Sequence, residues 1–189
     1  MNSTSVAVSI PVFKKAGMRE TAVLLSVAWF IPFAVHLAPW SGARPLGAYL
    51  LPMFWATFVA GYFYGGTIGL AVGLFAPVLN LFVTGLPAWK FLSVMSFELA
   101  IYALVTTWAV RRAPRFILIA PLGYIVAKLA STGLQAATTV FGDIGRPADF
   151  FARSLIGGLA GLAVLTAINA ALVRFYPKAP RAKNETAVV

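Results

Sequence analysis

Glu98 and Lys128 are the two ionisable side chains that fall deep within long apolar stretches of this chain. A charge in such surroundings is expensive, and it marks a place where something is bound or paired. Glu98 offers a carboxylate acceptor, and Lys128 an ammonium that can only donate. Gln135 follows Lys128 by seven residues, two helical turns, and so shares its face. Asn80 sits near the end of an earlier apolar stretch and adds an amide. Together these groups can hold a small polar molecule in apolar surroundings. Two arrangements satisfy them. In the first, Glu98, Gln135 and Asn80 line a polar pocket that Lys128 floors or braces. In the second, Glu98 and Lys128 form a structural pair between two helices. Trp89 supplies a flat face that either stacks on a ligand or belongs to an interfacial aromatic belt with Trp40, Phe91, Phe141, Phe150 and Phe151. Asn169 is expected to bond between helices.

Enzyme chemistry has no foothold. There are no cysteines, so thiol nucleophiles, thiolate metal sites and disulfides are excluded. His36 is the only histidine, so a multi-histidine metal site is excluded as well. No nucleophile elbow, paired carboxylates, HExxH or phosphate-binding loop appears. A non-enzyme without cofactor or metal is therefore expected. Without a phosphate loop the chain cannot hydrolyse ATP itself, and nucleotide-driven work would fall to other subunits.

The elements that must position these residues are long apolar segments. Six are expected, over 21–37, 46–63, 65–83, 91–110, 116–141 and 150–175. Each approaches the roughly 20 helical residues that cross a hydrocarbon core. The predicted fold is thus all-α, a polytopic membrane bundle of six transmembrane helices. Strands are not expected, because the apolar runs are long and do not alternate. Turn formers mark the boundaries: Ser41 to Pro45, Thr84 to Pro87, and Gly142 to Pro147. Residues 62–66 leave so little chain that segments two and three must form an antiparallel hairpin. Residues 1–18 read as a cytoplasmic N-terminal segment, 19–176 as the transmembrane domain, and 177–189 as a disordered cytoplasmic tail. Counted along the helical rise, Glu98 and Gln135 both lie about 10 Å below the outer ends of their segments, with Lys128 two turns deeper.

Composition agrees with the bilayer. Of 189 residues, 60% are hydrophobic and only 11% charged, and the mean hydropathy is +0.87. A soluble domain needs far more polar surface. The net charge of +10 comes from short clusters between apolar runs, which points to membrane topology and lipid headgroups rather than to nucleic acid. Ten Lys and Arg fall on one side: Lys14, Lys15, Arg19, Arg111, Arg112, Arg115, Arg174, Lys178, Arg181 and Lys183. Four fall on the other: Arg44, Lys90, Arg146 and Arg153. The positive-inside rule then predicts a multi-pass protein of the plasma (inner) membrane with both termini cytoplasmic. No small-residue cleavage site follows the first apolar run, so that run does not read as a signal peptide.

Small residues recur at helical spacing: Gly65, Gly69 and Gly73, then Gly157, Gly161, Ala163, Ala167 and Ala171. They allow backbones to approach closely, either within the bundle or toward a partner helix. Ala22 and Ser26 make one such step on the first segment.

The size, six spans, cytoplasmic termini and outward polar pocket resemble the substrate-binding (S) component of energy-coupling-factor vitamin transporters. The motif resemblance lies in 51–103. Leu51-Pro52-Met53, Ala60-Gly61, the row Gly65 to Gly73, Pro77, Thr84-Gly85-Leu86-Pro87 and Phe97-Glu98-Leu99-Ala100-Ile101-Tyr102 are similar to the pattern of a subgroup assigned to hydroxymethylpyrimidine and pantothenate uptake. Where that subgroup often carries His and Pro after Leu-Pro-Met, this chain has Phe54 and Ala56, and Ala103 replaces a Gly after the Tyr. The resemblance implies capture of a vitamin or precursor from outside, then docking on a transmembrane coupling subunit joined to two ATPases. It would map partner docking to Ala22 and Ser26. In that frame Glu98 would accept from ligand donors, Gln135 and Asn80 would read ligand edges, and Trp89 would stack. The alternatives from other classes are a structural or assembly subunit of a larger membrane complex, a small membrane enzyme, and an ion-coupled carrier.

Overall fold

The computed structural model describes residues 17–37, 41, 46–85, 89–138 and 145–178. Trp40, Phe141, the terminal segments and most of the expected loop residues lie outside these. Among the described residues every regular element is a helix: α1 (Met18–Leu37), α2 (Leu46–Leu50), α3 (Pro52–Tyr64), α4 (Gly66–Thr84), α5 (Trp89–Arg112), α6 (Ile119–Ala137), α7 (Pro147–Gly157) and α8 (Leu159–Phe175).

Two segments expected to be continuous are broken. The stretch 46–63 divides at Leu51, where φ is 55° and ψ is 44°. A residue before proline is pushed out of the right-handed helical region. Leu51 takes the left-handed one instead, unusual for a branched side chain, and Pro52 opens α3 at the position a helix best tolerates it. The stretch 150–175 divides at Gly158, and α7 meets α8 at 59°. The two breaks touch: a Cβ on Gly161 would lie 2.8 Å from the Tyr49 carbonyl and 2.5 Å from the Leu51 side chain. The fifth segment also starts later than expected, because 116–118 form a turn ahead of α6.

Backbone proximity fixes the register of the rest. Gly65 joins α3 to α4 with φ 89° and ψ −176°, a conformation open to glycine alone, so the expected hairpin between segments two and three is present. Within it Gly61 and Gly69 face each other so closely that a Cβ on Gly69 would stand 2.9 Å from the Gly61 Cα. Likewise Gly73 backs onto the Leu99 carbonyl, 3.0 Å from its would-be Cβ, which locks α4 to α5. The small-residue row of α4 therefore serves packing inside the bundle. α1 lies across α3 and α4 on a second layer of small contacts, Ala28 with Ala56, Ala60, Val72 and Ala76.

The main core fills the space between α3, α5, α6 and α8 with Phe54, Phe58, Tyr62, Leu99, Tyr102, Tyr124 and Leu165. At one end the Tyr62 hydroxyl donates to the Tyr176 carbonyl at 2.9 Å, the Lys178 ammonium lies 4.7 Å from the Tyr62 ring centroid, and Phe63 meets Tyr176 edge-on. This closes the last turn of α8 over α3.

The outer surface is apolar. Val23, Phe30, Phe75, Phe82, Leu104, Trp108, Leu129 and Ile156 are all exposed, while Glu98, Gln135, Asn80 and Asn169 are buried. That is the distribution lipid favours and water does not. Among the described residues two helices are long and apolar enough to cross a membrane alone, over Met18–Val35 and Phe91–Arg112, and the bent pair α7–α8 makes a third if taken as one span.

The close approaches predict a contrast between two glycines. Gly69→Ala must push apart two backbones and is expected to cost about 1–3 kcal/mol. Gly133→Ala meets nothing within 4 Å and is expected to be neutral or stabilising by up to about 1 kcal/mol. Thermal unfolding of the purified protein in detergent compares them. Equal stability of the two variants would show that the Gly61–Gly69 contact does not hold α3 to α4.

Candidate functional site

α5 and α6 run antiparallel, with Gly123 of α6 seated on Thr106 and Tyr102 of α5. That close fit brings Glu98 against two residues one turn apart on α6. The Lys128 Nζ donates to both carboxylate oxygens, at 2.8 Å to Oε1 and 2.7 Å to Oε2. The Ser131 hydroxyl donates to Oε1 at 2.6 Å. The side chains are 5% exposed for Glu98 and 17% for Lys128. Burial of two charges is tolerable here because each has its counterion and the carboxylate has a third donor. Below Lys128 the Tyr124 ring lies 5.8 Å from the ammonium. Phe54 meets both Tyr124 and Tyr102 edge-on, with centroids 5.0 Å apart in each case.

Of the two arrangements open from the sequence, the structure contains the Glu98–Lys128 pair. Gln135 joins it only indirectly. Its Nε2 donates to the Ser131 carbonyl at 3.3 Å, so Ser131 links the amide to the carboxylate. The equal depth expected for Glu98 and Gln135 is not found. Glu98 is level with Ser131, midway between Lys128 and Gln135, and Gln135 lies four residues, about 6 Å, further along. The discrepancy comes from the helix ends: α5 begins at Trp89 and α6 stops at Ala137, so the two ends used for counting are unequally placed.

Asn80 is buried in α4. Since Gly73 is level with Leu99, Asn80 comes level with Leu92, about 9 Å from Glu98 along the axis and nearer the level of Gln135. Trp89 opens α5 and is 72% exposed. Nine residues, about 14 Å of helix, separate it from Glu98, and the structure places it outside the buried network. Ala22 and Ser26 both lie on the exposed side of α1. The Ser26 hydroxyl is turned back onto the Ala22 carbonyl at 2.9 Å, and the same row of α1 carries the exposed Met18 and Phe30.

Ser131 and Tyr124 are functional neighbours that the sequence reading missed. The signal was present, because Tyr124, Lys128, Ser131 and Gln135 follow a helical period on one face. Asn169 makes the expected contact between helices. Its Oδ1 accepts from the Ala120 N–H at 2.9 Å and its Nδ2 donates to the Phe116 carbonyl at 3.2 Å. An unpaired N–H in the first turn of α6 is thereby satisfied, and α8 fixes where the polar face of α6 begins. The Thr57, Ser96, Tyr102, Thr107 and Thr132 hydroxyls and the Trp55 indole N–H are buried with no hydrogen-bond partner among the described residues. No cluster of three metal-ligating His, Cys, Asp or Glu occurs among them either. Among the described residues the carboxylate of this network is Glu98, with Lys128, Ser131 and Gln135 along α6.

The pair predicts strong coupling between its members. Glu98→Gln or Lys128→Met alone leaves one buried charge without its counterion and should cost about 3–5 kcal/mol. The double variant Glu98→Gln/Lys128→Met should lose much less than the sum. Unfolding of the four proteins in detergent forms the cycle, and simple additivity would show that the two charges act independently. Set beside known proteins, the chain matches no protein-family model, no curated protein and no solved structure.

Proposed function

We propose that the chain is a membrane-embedded substrate-capture subunit of an ATP-driven importer of vitamins or their precursors. In this proposal α1, α2–α3, α4, α5, α6 and α7–α8 are six spans, both termini are cytoplasmic, and the end carrying Gln135 and Asn80 faces outward. A transmembrane coupling subunit and a pair of ATPases supply the energy, and Ala22 and Ser26 on the exposed face of α1 dock there. The observation that carries this is Glu98 held by Lys128 and Ser131, with Gln135 one turn beyond on the same face of α6, inside an otherwise apolar bundle. Lys128 already neutralises Glu98, so an uncharged ligand is held at no net cost in buried charge. Gln135 has a carbonyl oxygen and a second N–H left for ligand edges. The buried unpartnered Tyr102, Thr132 and Trp55 groups add support, since a polar atom without a partner is a standing cost that a bound solute can relieve.

The bidentate geometry of the Glu98–Lys128 pair favours a second role too. In that role the two charges hold α5 to α6, and the chain is an assembly subunit of a larger membrane complex.

Purified full-length protein in detergent, screened by native mass spectrometry and thermal shift against water-soluble vitamins and their precursors, separates the two. A capture subunit retains one solute, and Gln135→Ala weakens it by about 10-fold or more, as loss of a hydrogen-bonding group in a buried site does, while the protein stays folded. No retained or stabilising solute, with stability lost only through Glu98 and Lys128, would leave the assembly role.

A further inference from the structure

The turn from α5 to α6 combines two surfaces that the proposed transport role does not use. The first is cationic. Arg111 and Arg112 end α5, Arg115 lies in the turn, and all three are exposed. Asn169 ties α8 to the Phe116 carbonyl, which brings Arg174, exposed in the last turn of α8, to the same end. The Arg112 guanidinium lies 5.7 Å from the ring centroid of Trp108, which is itself 60% exposed. The second surface is apolar and starts at the arginines. Phe116, Ile117 and Leu118 are exposed in succession, and Leu122, Val126 and Leu129 continue the exposed row along α6. Leu104 and Trp108 form a parallel exposed row on α5. Among the described residues the acidic groups lie elsewhere: Glu98 is buried in its pair, Asp149 opens α7, and Glu20 caps the backbone of Gly17 at the start of α1.

We infer that this face seats an anionic phospholipid. The arginines take the phosphate and Trp108 flanks it. The acyl chains lie along the two apolar rows, which run side by side because α5 and α6 are antiparallel neighbours. An anionic head joined to long apolar chains matches both surfaces at once. A free phosphate would leave the apolar rows unused, and an acidic peptide would need no such length of exposed Leu and Val. Charge complementarity selects the anionic headgroup over a zwitterionic one, and guanidinium is suited to phosphate.

The test uses the full-length protein in detergent, with dioleoyl phosphatidylglycerol, dioleoyl phosphatidylcholine, glycerol 3-phosphate and a poly-glutamate peptide as probes. Native mass spectrometry and thermal shift read binding. Phosphatidylglycerol should be retained and stabilising in preference to phosphatidylcholine. Arg112→Gln/Arg115→Gln should weaken it by about fivefold per arginine, and Arg112→Lys/Arg115→Lys should keep most of the preference. Unchanged melting in phosphatidylcholine shows that the variants are folded. Equal retention of the two lipids, a preference untouched by Arg112→Gln/Arg115→Gln, or an equal shift from glycerol 3-phosphate would each overturn the lipid seat. Displacement of phosphatidylglycerol by poly-glutamate would assign the face to an acidic protein instead and overturn it too.

Discussion

A carboxylate buried among apolar helices must keep its counterion, and the arrangement of α5 and α6 follows from that need. Glu98 takes three donated hydrogen bonds from Lys128 and Ser131. Those contacts hold only while the two helices remain close, which the absence of a side chain at Gly123 permits. On the far side of α5, Gly73 lets α4 press against the Leu99 backbone, and the Gly61–Gly69 approach sets α3 against α4. The ion pair sits at the end of a chain of backbone contacts, and each glycine in it sets the position of the next helix. Asn169 adds a fourth constraint from α8 by anchoring the start of α6. Glu98, Lys128 and Asn169 are thus held by side-chain bonds, and the spacing of the helices by places where side chains are missing.

Much of this was legible in the sequence. Helical class, apolar outer surface and the α3–α4 hairpin all follow from long apolar runs punctuated by Gly and Pro. Glu98 and Lys128 stood out because ionisable groups are rare in such runs, and their pairing was one of the two arrangements that could make them tolerable. What was not legible is equally physical. The break at Leu51 is signalled by Pro52, but the packing of that turn against Gly161 is a tertiary contact that no local pattern reveals. The depth of Gln135 relative to Glu98 depends on where α6 ends, and the turn formers that bound this segment in the sequence come only at Gly142 and beyond. Ser131 escaped notice because serine is common in helices of this kind, and only its placement one turn after Lys128 gives it a role.

The two broken segments share a feature with the polar site. Leu51 and Gly161 meet where α2 hands over to α3 and α7 to α8. The hydroxyl of Tyr124, one turn from Lys128, closes on Gly158, 2.9 Å from where its Cβ would be. α7 itself contributes no buried residue. The break at Gly158 therefore lies against Tyr124, one turn along α6 from Lys128. In membrane proteins, interrupted helices are tolerated where protein or a cavity can satisfy the freed backbone groups.

The order of the chain gives the Glu98–Lys128 contact a consequence for biogenesis. Thirty residues separate the two partners, and α5 is synthesised before α6. On the proposed topology the carboxylate enters the membrane ahead of the ammonium that neutralises it. α5 then cannot settle in lipid by itself, and must stay beside the translocation machinery until α6 emerges. The nascent α3–α4 hairpin has no such debt, because its contacts are local and it carries no charged residue. Insertion should therefore proceed in pairs, with the second pair released only when its two charges have met.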